Sequence, residues 1–404
     1  MDHNHGPLRE VSMSDSDTAS TPVDATPVDA TPSKTSFLSY PAGRLISVDA
    51  LRGFTMFWIL GLDEAIHSLA EVNDSAVVGA IKTQLTHVQW EGFVFEDLIF
   101  PMFIFIVGVS IVLSLGKLIA NEGRGAAVKR VLVRSLVLYF LGLLYYYDCT
   151  DELFREIRLM GVLQRIALCY CFAGLLFCFC RLRGLVAALV VLLVGYWALV
   201  CFVPVPGVEV HSFEEGQNLA NYIDAQYLPG FKWDGDHDPE GLLSTLPAIG
   251  TCLLGILAGL LLKNDEVKPY GKFAILLNIG IVGAVLGYTW GLEFPVIKKI
   301  WTSSYVLVAG GYSAILLAIF YLVLDIWEWR RWATMFVWIG TNAIALYMLS
   351  SLVSFPKLAH RYLGGSVGEL IFGGYLPFVC QIAGLALLVL IARFLYRRQV
   401  FIRV

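Results

Sequence analysis

The sequence predicts an all-α fold, a polytopic integral membrane helical bundle of about ten transmembrane helices with both termini on the cytoplasmic side. Three observations carry this. First, 57% of the 404 residues are hydrophobic and only 15% are charged, with a mean hydropathy of +0.69. A soluble chain of this size has no use for so much apolar surface. Second, apolar runs of about twenty residues recur, the length at which a helix crosses a hydrocarbon core about 30 Å thick. Third, loop charges change sign in step with those runs, which orients the spans.

The elements follow in order. Residues 1–42 are polar, rich in Ser, Thr, Pro and Asp, with a tandem TPVDA repeat at 21–30. Such a segment buries too little apolar area to fold and is expected to be a disordered cytoplasmic tail. No basic stretch precedes a short apolar core there, so no cleavable signal peptide is expected. His3 and His5, two apart, do not define a metal site. From 43 to 404 the chain is expected to form one transmembrane domain. Its spans are expected near 46–70, 92–118, 126–147, 160–181, 184–203, 242–263, 270–290, 303–324, 334–354 and 371–396.

Arg124, Lys129, Arg130 and Arg134 follow the second span, Arg181 and Arg183 the fourth, Lys263, Lys268 and Lys272 the sixth, and Arg330 and Arg331 the eighth. Arg397, Arg398 and Arg403 close the chain. The alternate loops are mostly acidic, most clearly 204–241, which holds Glu209, Glu214, Glu215, Asp224, Asp234, Asp236, Asp238 and Glu240. Basic loops stay in the cytoplasm, so 204–241 and the His87 segment face outward, and an even number of spans agrees with that. Seven of the eight cysteines lie in apolar runs, where cysteine is a small hydrophobe. Cys149, in a loop, is the one residue placed for a disulfide, and it would need a partner from another chain.

Polar groups inside or at the rim of these spans are costly, which makes them candidates for chemistry. Asp49 and Arg52 in the first span are three apart, one above the other on a helix, as an ion pair would be. Asp63 lies two heptads after Asp49, about 21 Å further along a continuous helix, and one turn before His67. An acid one turn from an imidazole tunes its basicity, although both residues could equally be leaving the membrane into water. The segment His87-Val-Gln-Trp90-Glu91-Gly92 then leads into Glu96-Asp97-Leu-Ile-Phe-Pro101. If the segment is helical, Trp90 and Glu91 share the face of His87. Pro101 cannot donate to the carbonyl of Asp97, which leaves that carbonyl free at a kink. Irregular backbone at membrane depth is tolerated where it lines a cavity. His87 with Asp97 is the leading pair for proton handling.

Arg158, Gln164 and Arg165 open the fourth span, where a guanidinium needs a carboxylate, a ligand or water. Asp238-Pro239-Glu240-Gly241 precedes the sixth span and reads as a helix start, with Asp238 at the N-cap and Pro239 at the first helical position. A functional reading of the same four residues is equally open. Lys298, Lys299, Trp301, Ser304 and Tyr305 supply donors and an aromatic platform at the outer end of the eighth span, and Asn342 is polar within the ninth. Gly255 and Gly259 form a small-xxx-small pattern suited to helix packing. The chain has no Walker A loop, no GxGxxG, no HExxH and no nucleic-acid-binding module.

These segments, in this order, resemble the transmembrane acetyltransferase family that includes heparan-alpha-glucosaminide N-acetyltransferase and its bacterial relatives. The matching residues are Arg44-Leu-Ile-Ser47-Val48-Asp49 with Arg52-Gly53, His87 with Trp90 and Gly92, and Asp97-Leu-Ile-Phe100-Pro101. Gly161-Val-Leu-Gln164-Arg165, Asp238-Pro239-Glu240-Gly241, Trp301 with Ser304-Tyr305, and Gly340-Thr-Asn342 continue the series across 44–404. The resemblance implies a multispan protein that takes acetyl-CoA from the cytoplasm and passes the acetyl group to an amino sugar on the other side. It also implies that His87 matches the family's active-site histidine.

Two departures stand out. Asp63 occupies a position where the lysosomal enzyme has an active-site asparagine, and the large luminal domain preceding the bundle is missing. A small or bacterial cell-envelope sugar is therefore expected as acceptor, and a bacterial inner membrane as location. On this reading His87, Asp63 and Asp97 are catalytic. Trp90, Gln164, Arg165, Asp238, Glu240, Trp301, Ser304, Tyr305 and Asn342 bind the acceptor. The CoA phosphates suit the basic cytoplasmic rim of Asp49, Arg52, Arg124, Arg130 and Arg134. No metal is expected, and a homodimer with a contact at Gly255 and Gly259 is. The alternative is a secondary transporter of a sugar or organic anion, because intramembrane Asp, Arg and His residues beside a proline kink serve permeation equally well.

Overall fold

A computed structural model describes residues 44–146, 157–207 and 212–402. The expected tail at 1–42 and Cys149 lie outside the described residues. Helices occur at all ten expected positions. The first is broken: α1 (Ile46–Phe57) passes through a π turn at Trp58–Leu62 into α2 (Asp63–Ala70). Gly61 sits in that turn at φ 120°, a conformation that only glycine adopts cheaply. The stripe expected to run from Asp49 to Asp63 is therefore interrupted. After the short α3 (Ala76–Gln84) come α4 (Phe95–Glu122), α5 (Arg124–Tyr145), α6 (Val162–Phe179) and α7 (Leu182–Phe202). The next are α8 (Leu219–Tyr227), α9 (Thr245–Lys263), α10 (Pro269–Trp290) and α11 (Ser303–Tyr321). The last six are α12 (Thr334–Thr341), α13 (Ala343–Leu352), α14 (Phe355–Leu363), α15 (Gly365–Phe372), a turn at Gly373–Tyr375, and α16 (Leu376–Arg397).

Seven helices among the described residues are long and apolar enough to cross a membrane, or eight if α12 and α13, bent by 76°, count as one broken span. The shortfall from ten has a local cause. The kink leaves α1 too short, and Arg124, Lys129, Arg130 and Arg134 dilute the apolar run of α5.

The two best-buried spans, α4 and α9, pack against each other at backbone distance. A Cβ on Gly255 would lie 1.9 Å from the carbonyl oxygen of Phe105, and one on Gly108 2.0 Å from that of Cys252. Gly255 and Gly259 therefore serve packing within the chain. The expected contact between subunits at these glycines is corrected, because both face α4.

The bundle has two ends. At one, the backbone N–H groups of Ile46 and Ser47 donate to Asp325, and the Asn342 amide holds Val400 and Ile402. At the other, Gly92 N–H donates to the Val296 carbonyl, Glu91 pairs with Ile297, and Phe231 N–H donates to the Ile157 carbonyl. Four loops thus meet in pairs at this end.

Candidate functional site

At the second end the chain from His87 to Val94 is non-helical, with a bend at Gln89 and Trp90, and α4 begins only at Phe95. Trp90 and Glu91 therefore do not share a helical face with His87. Asp97 anchors the start of α4 by accepting from the Val94 N–H at 3.3 Å, and its other oxygen lies 2.9 Å from His87 Nδ1. The carboxylate is 1% exposed while the imidazole is 55% exposed, so a buried acid holds an accessible ring. The carbonyl of Asp97, freed by Pro101, accepts from the Tyr305 hydroxyl at 2.7 Å. One residue of α11 thus satisfies the backbone acceptor that Pro101 leaves open at the residue bearing the carboxylate.

Lys298 completes the group. Its Nζ lies 2.9 and 3.1 Å from the two ring nitrogens of His87 and 3.4 Å from Asp97. Burial lowers this ammonium below the ordinary lysine value, against the opposing pull of Asp97 and Glu240. The tautomer that donates Nδ1–H to Asp97 carries its lone pair on Nε2.

That cavity, about 440 Å³, is lined by His87, Tyr146, Arg158, Trp233, Glu240 and Lys298 among others. Its wall is an ion cluster. Arg158 donates to both oxygens of Asp238 at 2.8 and 2.7 Å and to Glu240 at 2.5 Å, with its guanidinium over the rings of Tyr146 and Trp233. Asp238 also accepts from the backbone of Trp233 and Glu240. Burial would raise the Asp238 carboxyl, but the hydrogen bonds and charge of Arg158 outweigh it and hold it low. Burial wins at Glu240, which is raised. The helix expected to start at 238 begins at Thr245, so Asp238 is no N-cap; it braces a turn and neutralises Arg158.

A second cavity, of about 200 Å³, lies near the other end and is lined by Arg44, Arg52, Ser110, Ser114, Arg134 and Tyr170 among others. Arg52 donates to Ser110 at 2.6 Å and to Asp49 at 3.2 Å. Arg134 lies over the Tyr170 ring and keeps a buried Nε with no hydrogen-bond partner. Ser114 and Arg134 also line a larger cavity of about 690 Å³ with Lys129 and Arg130. A small apolar cavity of about 20 Å³ adjoins both the arginine cavity and the His87 cavity. It shares Phe103 and Ile344 with the arginine cavity and Val162 with the His87 cavity.

Of the expected residues, His87, Asp97, Asp238 and Glu240 come together at one end, and Asp49, Arg52 and Arg134 at the other. Arg130 lines the adjoining larger cavity, and Arg124, at the first turn of α5, lines none of these cavities. The rest are placed otherwise. Trp90 donates its indole N–H to Phe213, Trp301 donates to Thr251, and Ser304 donates to Pro295, all within the protein. Gln164 donates to the Arg158 carbonyl, while Arg165 is buried, donates to Gly241 and Ser244, and lies over Trp301. These residues shape the site from behind. Asn342 sits at the opposite end, holding the C-terminal segment. No hydrogen bond or ion pair among the described residues joins Asp63 to His87, and Asp63 Oδ1 is buried without a partner.

Sequence reasoning underrated Lys298 and Arg158. The available signal was a pair of adjacent lysines, 298 and 299, among the mostly acidic alternate loops.

The class is thus a polytopic helical membrane protein with an imidazole–carboxylate–ammonium group at one end and a basic cavity at the other. The family profile described as "Heparan-alpha-glucosaminide N-acetyltransferase, catalytic" matches residues 44–289. The Homo sapiens heparan-alpha-glucosaminide N-acetyltransferase is 26% identical over 435 aligned residues, covering 89% of this chain and 59% of that protein. The Mus musculus protein of the same name is 26% identical over 432, covering 89% and 60%. The chain belongs to the heparan-alpha-glucosaminide N-acetyltransferase catalytic family, and it spans about three fifths of the length of these curated relatives.

Proposed function

We propose that this chain is a transmembrane acetyltransferase that moves the acetyl group of cytoplasmic acetyl-CoA to the amine of a glucosamine-type sugar, working in a bacterial inner membrane. The observation that carries the reading is the line of cavities. His87 stands at one end, a small apolar cavity adjoins the cavities of both ends, and Arg44, Arg52 and Arg134 ring the other end. Guanidiniums suit the phosphates of CoA, and an apolar cavity suits the thin thioester arm. The basic end then faces the cytoplasm.

In the outer cavity the acceptor's ammonium and hydroxyls meet Glu240, Asp234 and the Trp233 ring. The amine must lose a proton before it attacks. His87 Nε2 takes that proton, because Asp97 fixes the other nitrogen as the donor. A C–N bond forms at the thioester carbonyl and the C–S bond breaks; the second proton leaves the nitrogen as the amide forms and goes to the CoA sulfur, which departs as the thiol. Lys298, released from Nε2 when substrate enters, stabilises the oxyanion. A route through an acetyl-imidazole would use the same lone pair.

His87→Ala is expected to abolish acetylation of glucosamine by purified protein, a loss of at least about 10²-fold, with acetyl-CoA binding near normal. Retained turnover would refute the assignment. In liposomes, unmodified sugar accumulating without covalent acetate would mark a transporter instead.

A further inference from the structure

Beside the His87 cavity lies a second cluster that the acetyl-transfer reading does not use. Glu215, Asp234 and His237 each offer one ligand atom, and these atoms all lie within 4.8 Å of one another. Acidic groups alone would mean little, but the histidine adds an independent observation. His237 is 4% exposed, and its Nε2 is buried with no hydrogen-bond partner. That nitrogen points between Glu215 Oε1 at 3.5 Å and Asp234 Oδ2 at 3.8 Å. Its other nitrogen, Nδ1, lies 2.7 Å from Asp236 Oδ1.

An Nδ1–H donated to Asp236 leaves a lone pair on Nε2 facing two carboxylates, three donor atoms that share the single ammonium of Lys299. A carboxylate behind a histidine is also the arrangement that orients imidazole ligands and raises their basicity. The spacing fits: ligand atoms around a tetrahedral zinc ion lie roughly 3.4 Å apart, given bonds of about 2.0–2.1 Å. Lys299 Nζ, 2.6 Å from Glu215 and 3.1 Å from Asp234, supplies positive charge at the same place.

We propose that Glu215, Asp234 and His237 form a site for a divalent first-row cation of the zinc class, with Asp236 orienting the imidazole and Lys299 competing for the two carboxylates. An imidazole ligand selects against calcium and magnesium. Lys299 and Asp234 both line the His87 cavity, so metal entry frees a lysine beside the acceptor site.

The test is calorimetric titration of the chelator-stripped full chain in detergent with zinc sulfate, in a His3→Ala/His5→Ala background that removes the tail histidines. One zinc per chain is expected, together with a rise in the melting midpoint on adding zinc and no comparable response to calcium. His237→Gln should abolish binding, Asp236→Asn should weaken it about 10–100-fold, and Lys299→Met should tighten it. Absence of stoichiometric binding, binding unchanged in His237→Gln, or weaker binding in Lys299→Met would each overturn the site. None of these readouts depends on acetyl transfer, so this proposal and the acetyltransferase reading fail separately.

Discussion

At the His87 end Arg158 is clamped by Asp238 and Glu240 and covered by two aromatic rings, whereas at the other end Arg134 keeps a buried Nε with no partner. Both are guanidiniums in a largely apolar protein. The first spends its donors inside the chain and so holds loops together. The second lines a cavity with Arg44 and Arg52, and Asp49 pairs with both of those guanidiniums. An unused buried donor is not peculiar to Arg134, since Arg165 Nε and Nη1 also have no partner; what sets Arg134 apart is that it lines a cavity.

The sharpest way to break this contrast is Arg158→Met, which leaves Asp238 and Glu240 buried without their cation. A loss of about 3–5 kcal/mol is expected, read as a large fall in melting midpoint in detergent. Arg134→Ala should leave the midpoint nearly unchanged but weaken acetyl-CoA binding by about 10–150-fold, the value of a charge-assisted hydrogen bond of about 1.5–3 kcal/mol. If the two variants exchange phenotypes, the contrast is wrong. Tyr305→Phe removes the donor that satisfies the Asp97 carbonyl at the Pro101 kink. It should cost about 1–2 kcal/mol and lower turnover more than acceptor affinity, because it loosens the carboxylate behind His87.

The smallest effect concerns Asp224, whose carboxyl burial pushes up to about 6 from an ordinary 3.8. The folded state therefore holds this proton more tightly than the unfolded chain. That contribution is fully present below pH 3.8 and is lost as pH rises through about 6. Asp224 should contribute about 1 kcal/mol to the gain in stability between pH 7 and pH 5, read as the difference between the profiles of the protein and Asp224→Asn. Asp238, held low by Arg158, opposes it only in stronger acid, since its share persists above its ordinary value.

The helices were legible because apolar length is a local property, and so was the His87–Asp97 pair, ten residues apart across a short turn. The free carbonyl at Pro101 was legible as well, since a missing N–H is written in the residue type. Its partner Tyr305, 208 residues away, was not. The expected sharing of a face by His87, Trp90 and Glu91 failed because the bridge from Glu91 to Ile297 and the hydrogen bond from Gly92 to Val296 hold that stretch non-helical. Asp238 looked like a helix cap because Asp-Pro-Glu suits a first turn, yet a long-range pairing with Arg158 took the carboxylate instead.

By itself the sequence determined a helical membrane bundle and the histidine beside an acid. Each of these follows from composition, run length or near neighbours along the chain. Only the tertiary structure decided which charges meet: Lys298 with His87 across 211 residues, Arg158 with Asp238 and Glu240, and Asn342 with the C-terminal strand of chain at the far end. Pairing energies depend on distance and burial, and neither is written in spacing once the chain folds back on itself.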